Sequence, residues 1–187
     1  MKIFGIDPGS DRTGYGCVES DGSRHRIIIS GAISGGRASF PEKLLKIHTG
    51  LAVLLAECRP DCVAIENLFH SNNARSALKL GHARGVAMLA AVEAGLPIAE
   101  YTPAEVKRAV VGYGRAEKHQ VQQMVKLLLA LPTLPTPHDA ADALAIAICH
   151  SHAVRRFDLP QRNRAKADAV GQASTAKSWR QYRPART

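Results

Sequence analysis

A short and almost wholly apolar run near the middle of the chain constrains the fold more than any other feature. The run is DCVAIE at residues 61–66. Consecutive apolar residues over this length are typical of a central strand that is covered on both faces of a sheet. Helical periodicity precedes and follows the run, at residues 41–58 and 73–94. The segment therefore predicts a sheet with helices on its faces, which is an α/β fold.

The remaining apolar segments predict how that sheet is assembled. Three strand-like segments open the chain, and the short turns between them favour an antiparallel meander. The predicted strands cover residues 2–7, 13–19, 25–34, 61–66 and 96–101. The predicted helices cover residues 41–58, 73–94, 118–131 and 138–156, and one more begins at Thr102-Pro103 with Glu105 as its capping acid. This order predicts a five-stranded mixed sheet flanked by helices.

Length and charge indicate one folded domain with a basic extension. The chain has 187 residues and a formal net charge of +9, and nine Lys/Arg against two Asp fall in residues 151–187. We therefore expect a domain at residues 1–156 and a basic, disordered tail at residues 157–187. The N-terminal MKIFGIDPGS is not a secretory signal, and no apolar run is long enough to span a membrane. We expect a cytoplasmic protein with no membrane partner.

The cysteines offer one alternative metal site, for zinc. Its ligands would be Cys58, Cys62, Cys149 and His152, with C-x3-C and C-x2-H spacings. Neither spacing is that of a zinc ribbon. Cys58, Cys62 and Cys149 also stand at positions where small buried thiols are common. We favour buried thiols over a zinc site.

Four carboxylates stand where an apolar element meets a loop. Asp7 and Glu66 end predicted strands, and Asp139 and Asp142 open the last predicted helix. Strand ends and helix starts are where an α/β domain gathers distant residues into a cleft. Oxygen ligands suit hard divalent cations, and a pair of such ions can clamp a phosphodiester. The pattern predicts a metal-dependent nuclease site on a basic protein.

Each carboxylate also has an alternative interpretation. Asp7-Pro8-Gly9 is good turn chemistry, and Asp139 fits a capping position after Thr136-Pro137. Glu66 is harder to explain structurally, because an unpaired carboxylate at the end of a buried strand is costly. His138 shares a helix face with Asp142 and is therefore a competing ligand.

Five segments, in this order, closely resemble the RuvC family of bacterial Holliday junction resolvases. They are IDPGSDRTGYG at 6–16, AIENLF at 64–69, NARSALKLGHARGVA at 73–87, EYTPAEVKRAVVGYGRAEKHQV at 100–121 and HDAADALAIAICH at 138–150. The resemblance covers about residues 1–155. It implies an RNase H-like fold and a homodimer that resolves four-way DNA junctions by paired symmetric nicks in recombination and DNA repair.

The resemblance also implies cofactors, partners and residue roles. The metal would be Mg²⁺, with Mn²⁺ as a substitute and two ions per site, and the family suggests a RuvA-RuvB branch-migration complex as a partner. The implied catalytic metal ligands are Asp7, Glu66, Asp139 and Asp142, and His138 takes a supporting role. The implied DNA contacts are Phe69, stacked on an unpaired base, and the phosphate-binding Lys107 and Lys118. Charge and location add Arg75, Lys79 and Arg84, and the small residues of helix 74–94 suggest the dimer interface.

Two other function classes are compatible with parts of the sequence. An ATP-binding protein of the actin and sugar-kinase type also uses an Asp-Gly-rich hairpin for phosphate, but such proteins need two lobes. A non-enzymatic junction-binding protein would share the basic charge. Saturable ATP binding would favour the first class, and junction binding without cleavage the second.

Overall fold

A single sheet with helices on both faces forms the fold. The computed structural model describes residues 1–21, 23–67 and 73–169, with side chains up to residue 154. Within these residues the elements are β1 (Lys2–Asp7), β2 (Arg12–Ser20), β3 (His25–Ser34), α1 (Phe40–Cys58), β4 (Cys62–Glu66), α2 (Ala74–Glu93), β5 (Ile98–Tyr101), α3 (Pro103–Val111), α4 (Lys118–Leu128) and α5 (His138–Ala169). Residues Met1–Arg155 form one compact unit.

The strand order of the sheet is β3-β2-β1-β4-β5. Strands β1, β2 and β3 pair antiparallel, as the short turns predict. Strand β4 pairs parallel with β1 and with β5. The predicted five-stranded mixed sheet is confirmed, with β1 at its centre and β4 as an interior strand between β1 and β5.

The core has two layers because successive side chains of the central strands point to opposite faces. Ala64 of β4 packs in the layer that α3, α4 and α5 cover. Its neighbour Val63 packs in the layer that α1 and α2 cover. Both residues are fully buried, which confirms the prediction of a strand covered on both faces.

Helix α5 lies directly on β1 and β2 because glycines face it. A Cβ atom at Gly14 would lie 2.0 Å from the carbonyl oxygen of Asp139, and one at Gly5 would lie 2.0 Å from that of Ala143. No other residue leaves room for a helix backbone at this distance. The glycines therefore set how close the first turn of α5 comes to the sheet.

Helix starts follow the predicted capping pattern. Thr102 caps α3: its side chain accepts from the Glu105 backbone N–H, and Glu105 in turn accepts from the Thr102 backbone. Ser39 and Glu42 form the same kind of box at the start of α1. Since each box satisfies backbone donors that a helix leaves unpaired, these starts are fixed locally.

Two helix ends differ from the sequence prediction. Helix α4 ends at Leu128 rather than Leu131, because Ala130 is left-handed with φ 50° and Pro132 disfavours a helical residue before it. Helix α5 continues to Ala169 rather than ending near Arg156. Residues 157–169 lack an apolar stripe, and the disorder of the tail at residues 157–187 stays a prediction. The division at residue 156 into domain and tail stays a prediction.

None of the helices in the described part of the chain is both long and apolar enough to cross a bilayer.

Candidate active site

Asp7 and Glu66 meet at one end of the sheet. Strands β1 and β4 are parallel neighbours with Ile6 opposite Ile65, so the residue that follows each of them leaves the sheet at the same edge. The Asp7 and Glu66 side chains are hydrogen-bonded to each other. Because an ionised carboxylate can only accept, this hydrogen bond requires a proton on one of the two groups.

Burial and negative charge explain why the pair holds a proton. Burial, followed by the charges of Glu66, Asp142 and Asp139, raises the pKa of Asp7 to about 8. Burial also raises the pKa of Glu66, although its hydrogen bond to Asp7 and two nearby lysines act in the opposite direction. The structure thus places all four predicted acids close enough to influence one another.

The other two acids face cationic side chains. Asp139 Oδ2 lies 3.6 Å from Arg12 Nη1, and Asp142 Oδ2 lies 2.6 Å from Lys118 Nζ. Both acids are in the first turns of α5, above Gly14. The cluster therefore divides into a proton-sharing pair on the sheet and two ion-paired acids on the helix.

The donor set fits a hard divalent cation. Among the described residues, no three His, Cys, Asp or Glu side chains are arranged as a ready coordination group. However, Mg²⁺ keeps several waters and takes as few as one or two carboxylates. Asp7 and Glu66 form such a pair of partly buried oxygen donors, whose shared proton a cation would replace. Asp139 and Asp142 stand beside them as further oxygen donors.

A cavity of about 200 Å³ opens beside the acids and is lined by Glu66, Asp142, Lys107 and Lys118. Burial acts against the charged form of Lys118, but the hydrogen bond and charge of Asp142 raise its pKa overall. Both lysines lower the pKa of Glu66 by their positive charge. The predicted phosphate-binding lysines thus lie at the acidic cluster, where a phosphate would meet positive charge and acids together.

His138 contacts Gln122, a residue that was not predicted from the sequence. Its Nδ1 lies 2.7 Å from Nε2 of Gln122, a buried residue of α4 that is only 4% exposed. This contact favours a supporting role for His138 over direct ligation. Gln122 follows Lys118 by four residues, so its position on the same helix face was a usable signal. Arg12 was also missed, although it stands inside the DRTGYG segment.

The remaining predicted DNA contacts lie on α2 or outside the described residues. Arg75 and Lys79 are exposed, and the Lys79 ammonium lies 5.6 Å from the centre of the Phe40 ring. Arg84 is ion-paired with Glu100. Phe69 lies outside the described residues. The DNA-binding roles of these residues stay predictions.

The alternative zinc ligands do not form one site. Cys58 packs in the core layer under α1 and α2, whereas Cys62 and Cys149 pack in the layer on the opposite face of the sheet. All of the cysteines are buried, which agrees with the interpretation as core thiols.

Comparison with known proteins decides the family. The family model described as crossover junction endodeoxyribonuclease RuvC matches residues 3–150. The chain belongs to the RuvC family. A RuvC relative from Pelobacter propionicus, also named crossover junction endodeoxyribonuclease, is 52% identical over 185 residues, covering 98% of this chain and 100% of the relative.

Solved structures agree with this membership. Thermus thermophilus RuvC in complex with a Holliday junction substrate superposes with a TM-score of 0.77 at 34% identity, covering 83% of this chain and 96% of that one. The yeast mitochondrial Holliday junction resolvase Ydc2 has a TM-score of 0.60 at 15% identity, covering 89% of this chain and 85% of that one, and supports the fold alone. The RNase H-like fold predicted from the RuvC resemblance is confirmed.

Proposed function

We propose that this RuvC-family chain resolves four-way DNA junctions by paired symmetric nicks in recombination and DNA repair, using divalent-metal-dependent phosphodiester hydrolysis. The observation that carries the proposal is the partly buried Asp7–Glu66 pair, which holds a proton beside Asp139 and Asp142. Such a concentration of acids destabilises a metal-free protein, and it is the donor set that a hard cation requires. The 34%-identical RuvC solved on a Holliday junction supports the choice of substrate.

In this proposal Asp7, Glu66, Asp139 and Asp142 hold the metal. Mg²⁺ or Mn²⁺, with two ions per site, would polarise the phosphodiester and the attacking water. Lys107 and Lys118, which line the adjoining cavity, bind the DNA phosphate and stabilise the charge that develops on it. Phe69 stacks on an unpaired base, while Arg75 and Lys79 extend the phosphate contacts along α2.

The proposal includes a homodimer, since two symmetric nicks need two active sites related by a two-fold axis. Helix α2 has an exposed apolar surface that supports the proposed dimer. Leu78, Leu89 and Val92 are 66%, 49% and 63% exposed, and a Cβ atom at Gly81 or Gly85 would have no neighbour within 4 Å. An apolar helix face with small residues allows a second helix to approach closely. We further propose the RuvA-RuvB complex as a partner and the cytoplasm as the location.

An Asp7→Asn variant tests the chemistry. We expect it to bind a four-way junction as tightly as the wild type, and to lose cleavage by about 100-fold or more with saturating Mg²⁺, because metal coordination supplies several kcal/mol to the transition state. Asp61→Asn is the matched control, since its carboxylate accepts a hydrogen bond from the Lys2 backbone N–H, 2.7 Å away. Cleavage at the wild-type rate by Asp7→Asn would eliminate the mechanism. Binding without any cleavage by the wild type would favour the non-enzymatic alternative.

A further inference from the structure

Two polar contacts join α4 to the first turns of α5 beside the acidic cluster. Lys118 Nζ lies 2.6 Å from Asp142 Oδ2, and Gln122 Nε2 lies 2.7 Å from His138 Nδ1. On each helix the two residues are four positions apart, so each pair shares one helix face. The lysine contact belongs to the proposed catalytic machinery, whereas the glutamine contact has no assigned role.

The Gln122 contact orients the His138 ring. The Gln122 amide lies 2.7 Å from Nδ1 of His138, and it can pair with this ring nitrogen in either tautomer, as a donor through Nε2 or as an acceptor through Oε1. The contact therefore restrains the direction of the ring. Gln122 is 4% exposed, and its amide would lose a hydrogen bond in a buried place if the imidazole turned away. His138 itself is exposed, so Gln122 provides the restraint that the packing does not.

Without that restraint, the imidazole is free to rotate towards the acidic cluster. His138 shares a helix face with Asp142 and directly precedes Asp139, so a rotated ring would add a nitrogen donor to the carboxylates. Nitrogen ligands favour Zn²⁺ and other borderline metals, while an all-oxygen set favours Mg²⁺ and Mn²⁺. The orientation of one ring therefore affects which metal the acidic cluster selects.

We infer that Gln122 is a positioning residue that sets metal selectivity, by holding the His138 imidazole away from the Asp7–Glu66–Asp139–Asp142 cluster. This inference rests on the proposed metal site and adds to it a determinant of selectivity outside the ligand set.

Calorimetric titration of the metal-free, full-length protein with Mn²⁺ and with Zn²⁺ tests the inference. In Gln122→Met, which keeps the side-chain length without a donor, we expect the affinity for Zn²⁺ relative to Mn²⁺ to rise at least about tenfold, the usual scale for partners behind metal ligands. A double variant, Gln122→Met with His138→Gln, should return the ratio to the wild-type value. Gln123→Met is the matched control, because Gln123 contacts His119 on the exposed face of the same helix, at 3.2 Å.

Each outcome decides between specific explanations. If Gln122→Met only loosens α5, the affinities for Zn²⁺ and Mn²⁺ fall together and their ratio stays unchanged. That result would overturn the inference. A ratio that rises but persists in the double variant would also overturn it, since His138 would not be the added ligand.

The same titrations separate this inference from the proposed function. If Asp7→Asn binds Mn²⁺ as well as the wild type does, the proposed metal site is wrong. If Asp7→Asn loses Mn²⁺ while Gln122→Met keeps the wild-type ratio, the site stands and the role of Gln122 is wrong.

Discussion

The proton shared by Asp7 and Glu66 predicts that a carboxylate of the proposed metal site destabilises the metal-free protein. The pKa of Asp7 rises from its ordinary 3.8 to about 8, so the folded state keeps a proton that the unfolded state loses above pH 4. Stability therefore falls as the pH rises from about 4 to about 8, and reaches its lower limit above pH 8. An Asp7→Asn variant lacks this loss and should become progressively more stable than the wild type across the same window.

The magnitude follows from the size of the shift. At about 1.4 kcal/mol per pKa unit, the full change corresponds to about 6 kcal/mol. Rearrangement of neighbouring charges and entry of water reduce the cost of ionising Asp7, so we expect a gain of about 2–3 kcal/mol at pH 9. For a chain of this size that gain raises Tm by about 5–10 °C. At pH 4 the difference between variant and wild type should be near its minimum.

The assay is thermal and urea unfolding of the metal-free protein, measured with a metal chelator present at several pH values between 4 and 9. Asp21→Asn is a control of opposite sign, because hydrogen bonds from the Arg24 and Ser23 backbones hold the pKa of Asp21 well below its usual range. The stability that the Asp21 carboxylate contributes is present above the pKa of Asp in the unfolded chain and is lost as the pH falls. The Asp21→Asn variant should therefore be less stable than the wild type at pH 7, not more stable. If Asp7→Asn shows no growing advantage between pH 4 and 8, the shared-proton argument is wrong.

Three further substitutions test other parts of the site. Gly14→Ala places a methyl group 2.0 Å from the Asp139 carbonyl oxygen, so we expect at least about 2 kcal/mol of destabilisation in urea unfolding and reduced cleavage; full activity would contradict the close helix approach. Lys118→Gln removes the partner of Asp142, but its side chain is 59% exposed, so stability should change by under about 1 kcal/mol while cleavage falls at least about tenfold; equal losses of both would indicate a structural lysine. Leu89→Lys on α2 should shift the protein towards monomer in sedimentation velocity with little change in Tm, and an unchanged dimer would move the interface elsewhere.

Local patterns in the sequence were sufficient for the sheet and for part of the site. The run at residues 61–66 predicted a central strand, because only a strand covered on both faces is apolar at consecutive positions. Parallel pairing with β1 then brings Glu66 to Asp7, since both residues follow the paired positions at the same edge. The meeting of these two acids was therefore predictable from strand ends.

The contacts made by α4 were not predictable in the same way. Whether Gln122 reaches His138 depends on how α4 and α5 pack, and spacing within one helix only says which residues share a face. The end of α5 was missed for a different reason. Apolar periodicity stops near residue 156, whereas the helix continues to Ala169 through Pro160, a residue that usually ends or kinks a helix.

The charges of the acidic cluster explain how one site can both destabilise the metal-free protein and bind a cation in place of a proton. Asp139 and Asp142 are ion-paired with Arg12 and Lys118, while the Asp7–Glu66 pair has no ion pair of its own among the described residues and shares a proton, with Lys107 and Lys118 acting on Glu66 through their charge. A proton is released more readily than a covalently attached side chain, so the pair is the part of the cluster that exchanges most easily with a cation. A high pKa at Asp7 then has two effects, since it lowers stability at neutral pH without metal and makes metal binding at this pair stronger as the pH rises. Stability and metal affinity are therefore linked through one proton, and a substitution that removes the carboxylate must change both.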